Sequence, residues 1–134
     1  MALHRALWMA LLLGLKWSTT AANDVIPTGY RSIAVEQGVP AAILYAVASA
    51  ESGAVMSGTY GRRPWPWTLN VQGEGQYFDS RREATDALIE ALGLGKTSVD
   101  IGLMQVNWRY HQEALGAIEH SIEPYHNLRV GAQI

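Results

Sequence analysis

Glu51 carries the least ordinary chemistry in this chain. It sits near the end of the run Pro40-Ala41-Ala42-Ile43-Leu44-Tyr45-Ala46-Val47-Ala48-Ser49-Ala50-Glu51-Ser52, where it is the only charged residue. A helix apolar on nearly every side is expected to be buried. Burial disfavours a carboxylate, and so does the negative end of the helix dipole in the last turn. A carboxyl group that keeps its proton near neutral pH is what general-acid catalysis requires. The plainer alternative is a carboxylate solvated at a frayed helix end, and the residue taken alone favours that alternative.

Other chemistries are excluded more readily. There is no cysteine, hence no disulfide, thiolate nucleophile or cysteine-based metal site. His111, His120 and His126 are scattered and lie in no His-Glu-x-x-His pattern, so no metal is expected. Gly95-Lys96-Thr97 resembles the end of a phosphate-binding loop, but the required first glycine is Glu90. Gly73-Glu74-Gly75 lacks the third glycine of a dinucleotide fingerprint, since Phe78 stands there. Trp65, Trp67, Tyr77 and Phe78 could stack on bases, yet a net charge of −2 gives nothing to hold phosphates. No cofactor and no nucleic-acid partner is therefore expected.

The elements that would position Glu51 follow from patterning. The 134 residues suit one domain, and with 49% apolar and 16% charged residues the chain as a whole is not disordered. Residues 1–22 combine a basic start, the uncharged run Ala6–Leu15 and the small-residue exit Ser18-Thr19-Thr20-Ala21-Ala22. That is a secretory signal peptide, and its apolar run is shorter than the roughly 20 residues a membrane span needs. Removal also takes away Arg5 and Lys16, leaving a more acidic domain over residues 23–134. Within it, helices are expected over about 30–37, stopped by Gly38, and from Pro40 to Ser52. Strand chemistry at 67–71 and 76–78, around Gln72-Gly73-Glu74-Gly75, gives a hairpin. Ser80 and Glu83 have capping-box spacing for a helix with Ala84, Leu88, Ala91 and Leu92 on its apolar face. Further helices are expected over 107–118 and from Pro124 onward. The fold class is mainly α (α+β), with a small β-hairpin insertion.

Glu51-Ser52 at a helix end, with Gly102-Leu103-Met104-Gln105-Val106-Asn107 downstream, resembles the lytic transglycosylase SLT family, lysozyme-like enzymes that cleave bacterial peptidoglycan. The Glu-Ser pair is a weak signal, and the Gly-Leu-Met-Gln run with its Asn is the specific one. Arg63-Pro64-Trp65-Pro66-Trp67-Thr68-Leu69-Asn70-Val71 looks like the insertion of transglycosylases encoded with conjugation and secretion systems. Asn127-Leu128-Arg129-Val130-Gly131-Ala132 is similar to a later helix start of the family. The resemblance spans about residues 28–134. The family continues with an Ala-Tyr-Asn motif and a further tyrosine that this sequence does not reach, so against the family pattern the catalytic domain reads as incomplete at its C-terminus.

The resemblance implies a lysozyme-like helical domain and an exported enzyme of the periplasm or cell envelope. Its partners would be peptidoglycan strands and a conjugation or secretion apparatus. It makes Glu51 the acid that protonates the glycosidic oxygen between MurNAc and GlcNAc, then the base toward the MurNAc C6 hydroxyl, giving a 1,6-anhydro product. Ser52, Met104, Gln105 and Asn107 match positions near the substrate cleft. Gln105 could bind an N-acetyl group or tie its turn to the Glu51 helix. Trp65, Trp67 and Tyr77 could stack on sugar or pack the hairpin onto the body. Two rival functions stay open. One is a hydrolytic muramidase with Asp79 or Asp100 as second carboxylate, and the other is a peptidoglycan-binding module without catalysis.

Overall fold

The structure, a computed structural model, describes residues 26–55 and 62–134, and the proposed export signal at 1–22 lies outside them. Helix takes 55% of the described residues and strand 18%, an α+β mixture with more sheet than one hairpin. Helix α1 (Thr28–Gln37) buries Tyr30, Ile33 and Ala34 and stops at Gly38, whose φ of 68° suits glycine. Pro40 is the N-cap of α2 (Ala41–Ser52), so that helix begins one residue later than its proline suggests. The two helices meet through Tyr30 and Tyr45, edge to face at 4.9 Å.

Helix α2 is not buried all round. Only Leu44, Ala48 and Ser52 are closed off, a single row at four-residue spacing, while Ile43 stays 60% and Val47 39% exposed. Composition suggested burial, but α1 and the following strands cover one side only. The outer face is carried largely by Ala42, Ala46 and Ala50, small side chains that expose little apolar area. Glu51 lies on that open side and is exposed. The desolvation expected for it is therefore absent.

Two antiparallel sheets follow. β1 (Gly53–Val55) pairs with β2 (Arg62–Pro64), with Gly53 opposite Pro64 and Val55 opposite Arg62. The second sheet has the order β4-β3-β5-β6, from β3 (Thr68–Val71), β4 (Glu74–Tyr77), β5 (Val99–Ile101) and β6 (Val106–Asn107). The expected hairpin is β3–β4, but its turn is tighter than the four residues assigned to it. Val71 pairs directly with Glu74 around Gln72 and Gly73, both at positive φ, 54° and 94°. That is the two-residue turn whose twist matches antiparallel strands. Strands β5 and β6 are too short for alternation to reveal them.

Helix α3 (Arg81–Gly93) starts as expected, with the Ser80 hydroxyl accepting from the Glu83 N–H at 3.2 Å. The Glu83 carboxylate reaches back to the Asp79 N–H rather than to Ser80 itself. The single helix expected over 107–118 is two, α4 (Trp108–Leu115) and α5 (Ile118–Ser121). Gly116 breaks it with φ 70° and ψ −137°, a backbone shape open to glycine. Pro124 opens α6 (Pro124–Gln133), whose first N–H groups are capped by the Glu123 carboxylate.

The core has two parts. Leu69, Leu88, Val99, Ile101, Leu115 and Ile122 pack between the larger sheet and helices α3 to α5. Ile33, Leu44, Ala48, Leu103 and Leu128 form the second part among α1, α2 and α6. Met104 touches both.

Candidate functional site at the end of helix α2

The last turn of α2 is fastened from outside. Helix ends leave carbonyls unpaired, and here residues nine and thirteen positions later supply the donors. The Trp65 N–H donates to the Ser52 carbonyl at 3.1 Å. Arg62 donates to the Gly53 carbonyl through Nε at 3.1 Å and Nη2 at 2.7 Å, placing a cation where the helix dipole is negative. Gly53 admits no side chain, because a Cβ there would collide with the Ser49 carbonyl oxygen. Between these fastenings Glu51 presents its carboxylate to solvent, with no hydrogen bond or ion pair to it among the described residues. Ser52 is fully buried, and its hydroxyl donates to the Ala48 carbonyl at 2.9 Å. In this arrangement Ser52 braces the helix and does not face a ligand.

The Gly102–Asn107 segment is fastened as firmly. Gly102 has a φ of 73° and donates its N–H to the Thr68 carbonyl at 2.8 Å. Gln105 adopts a φ of 47°, rare for a residue with a side chain. Its Nε2 donates to the Gly102 carbonyl at 2.9 Å and the Thr68 carbonyl at 3.3 Å. The tie expected between Gln105 and the Glu51 helix therefore runs to strand β3 instead. Thr68 passes it on, because its hydroxyl donates to the Trp65 carbonyl at 2.7 Å. Gln105, Thr68, Trp65 and Ser52 form one chain of hydrogen bonds, linking the two segments that carry the family resemblance.

Met104 is partly buried, and its backbone N–H donates to the Asn127 side chain at 2.9 Å. Its own side chain lies so close to Gly131 that a Cβ at that position would strike it. Asn107 caps α4 by accepting from the Arg109 N–H at 3.1 Å, and its amide donates to Asp100 at 2.7 Å. Both polar ends of Asn107 are thus engaged within the protein. Asp100, a candidate second carboxylate, is held in that bond.

A cavity of about 410 Å³ opens beside the α2 terminus. Gly53, Arg62, Trp65, Tyr77, Phe78 and Asp79 contribute to its lining, so it begins two residues beyond Glu51. The Trp65 indole N–H is spent on the Phe78 carbonyl at 2.8 Å, which fixes the ring. Tyr77 is 53% exposed. Trp67 packs partly against the sheet-side core, and Phe78 touches both that core and the cavity. A solvated acid beside a hollow with aromatic walls, one guanidinium and a second carboxylate can take a hydroxyl-rich ring. Among the described residues no group of His, Asp and Glu side chains could hold a metal ion. His126 Nε2 is 3.0 Å from the Leu115 carbonyl, a bond between helices.

Three residues of this arrangement are not singled out as site residues by the sequence. Thr68 enters the sequence reading only within the 63–71 run and its strand, and Arg62 lies just outside that run. Asn127 is fully buried, with Nδ2 donating to the carbonyls of Ile101 at 2.9 Å and Ser121 at 3.0 Å. A Cβ on Gly102 would come within 2.8 Å of its amide. An Asn beside Leu128 and Val130 on a helix with a buried face is the hint that sequence offered. In comparisons with known protein families, characterised proteins and solved structures, nothing matches the chain.

Proposed function

We propose that the protein is an exported peptidoglycan lytic transglycosylase that uses Glu51 as its catalytic acid and base. The observation that carries this reading is the hydrogen-bond chain from Gln105 through Thr68 and Trp65 to Ser52. It fixes the Glu-Ser helix end and the Gly-Leu-Met-Gln turn, whose motifs resemble the family, in one rigid unit beside an open cavity. Preorganisation of that kind is what positions a single reacting group.

In this scheme a glycan strand lies over the α2 terminus. Covered by substrate, the Glu51 carboxyl leaves water, the condition that favours its neutral form. It gives its proton to the oxygen joining MurNAc C1 to GlcNAc, and the C1–O bond breaks. The MurNAc C6 hydroxyl then bonds to C1 and returns its proton to Glu51, leaving a 1,6-anhydro ring and an unchanged enzyme. No water is consumed, so one carboxylate suffices. The site would act on glycan strands locally, for a conjugation or secretion apparatus crossing the wall.

Asp79 supports a second reading, because its position in the cavity lining would let it serve a hydrolytic muramidase as the other carboxylate. Digestion of purified peptidoglycan, followed by mass spectrometry of the soluble products, separates the two. Anhydro-MurNAc ends are expected. Reducing MurNAc ends would move the assignment to the muramidase, and an absence of soluble products would remove catalysis altogether.

A further inference from the structure

We infer that the cavity beside the α2 terminus selects sugars bearing a carboxylate, with Arg62 as the selectivity residue. The inference rests on the glycan reading above and adds the chemical class that the subsite prefers.

The cavity supplies a ring-binding surface first. The Trp65 indole N–H is committed to Phe78, so the ring offers its face and edge rather than a donor. Half-exposed Tyr77 adds a second aromatic surface. Such faces suit the apolar side of a pyranose, and 410 Å³ is near the small end of the roughly 300–1,000 Å³ typical of ligand pockets. A single substituted sugar matches that size better than a long strand.

Arg62 then supplies the charge. A guanidinium carries five N–H donors in a planar fork. Nε and Nη2 hold the Gly53 carbonyl, which anchors the group and leaves further donors for an acceptor in the cavity. An anchored fork loses little freedom when it pairs with a carboxylate. Arg63 is not a second cation here. Successive strand residues face opposite sides, and Arg62, not Arg63, lines the cavity. The chain's net charge is negative, so attraction for an acid has to be local. Asp79 sets the direction: it repels a carboxylate beside it and accepts from hydroxyls, so the acid group lies toward Arg62.

In peptidoglycan the carboxylate has two sources, the lactyl group of MurNAc when unsubstituted, and the peptide attached to it. Both are covered by titrating the full chain and following tryptophan fluorescence. The probes are the disaccharide GlcNAc–MurNAc, its lactyl methyl ester, and the same disaccharide amide-linked to alanyl-glutamate. None of them contains the MurNAc–GlcNAc bond to be cleaved. At least one acid is expected to bind about tenfold more tightly than the ester, the scale of one charge-assisted pair. The acid that does so identifies the source. Arg62→Gln should bring acid and ester to equal affinity, while Arg62→Lys should keep part of the preference. Equal binding of ester and acids by the unaltered chain overturns the inference, as does an absence of saturable binding or an undiminished preference in Arg62→Gln. If anhydro products still form while acid and ester bind alike, this inference alone fails. If no products form, the catalytic reading fails.

Discussion

The backbone N–H of Trp65 donates to the carbonyl of Ser52 across 3.1 Å, and this bond ties the aromatic cavity to the helix end that carries the candidate acid. Thr68 and Gln105 extend the framework to the Gly102 turn. The site is therefore held by main-chain carbonyls and a few polar side chains, while Glu51 stays outside the network and free to react.

That freedom gives the first prediction. Glu51→Gln should lower the release of anhydro products by about 10²–10⁴-fold, the usual worth of a positioned acid or base. Unfolding stability should change by less than about 0.5 kcal/mol, as for other exposed positions. Digestion assays and urea melts on the same preparation test both halves. Full activity in the variant would remove Glu51 from the mechanism.

Asn127 behaves in the opposite way. Asn127→Ala deletes bonds to Met104, Ile101 and Ser121 and leaves three backbone groups wanting partners in a buried place. The expected loss is about 3–5 kcal/mol in urea unfolding. A loss below about 1 kcal/mol would mean that water replaces the amide.

A gain is expected at the β3–β4 turn. Gln72 occupies a φ of 54° before Gly73, where Asn is the favoured residue. Gln72→Asn should raise stability by about 0.5–1 kcal/mol, read as a higher melting temperature. An unchanged or lower value would show that the turn does not govern the hairpin.

The alkaline limit of the fold depends on Tyr30. Burial, then the neighbouring Tyr45, raises its ionisation above the ordinary tyrosine value of 10.0. The folded state thus holds this proton more tightly than the unfolded chain. Its contribution to stability is complete below that ordinary value and is lost as pH climbs above it, through the raised folded-state value. Tyr30→Phe should flatten the fall in unfolding free energy at high pH, measured by circular dichroism in urea. An identical alkaline slope in both proteins would assign the effect elsewhere.

The helices were legible because local chemistry decides them. Gly38, Ser80 with Glu83, and Pro124 marked boundaries that the structure keeps within a residue or two. Where neighbours decide, sequence and structure part. Helix α2 is apolar by composition, yet its burial depends on what covers each face, and Ile43 and Glu51 lie on the uncovered one. By sequence Gly116 reads as one more helical residue, although its backbone angles end the helix. Strands β5 and β6, three and two residues long, exist because each finds a partner, β5 along β3 and β6 along β5. Candidate site residues were visible as motif letters only. Ser52 reaches Ala48 at ordinary helical i−4 spacing, whereas Gln105 reaches Thr68 across a distance that no local spacing contains.

Helix α6 has a consequence for the order of events in the cell. Asn127 fastens the Gly102 turn, Leu128 and Val130 fill the two halves of the core, and Arg129 pairs with Glu36 of α1 at 2.7 Å. While α6 is still inside the ribosome, the described residues before it lack these closures. The Gly102 turn and both halves of the core therefore close only after α6 has emerged.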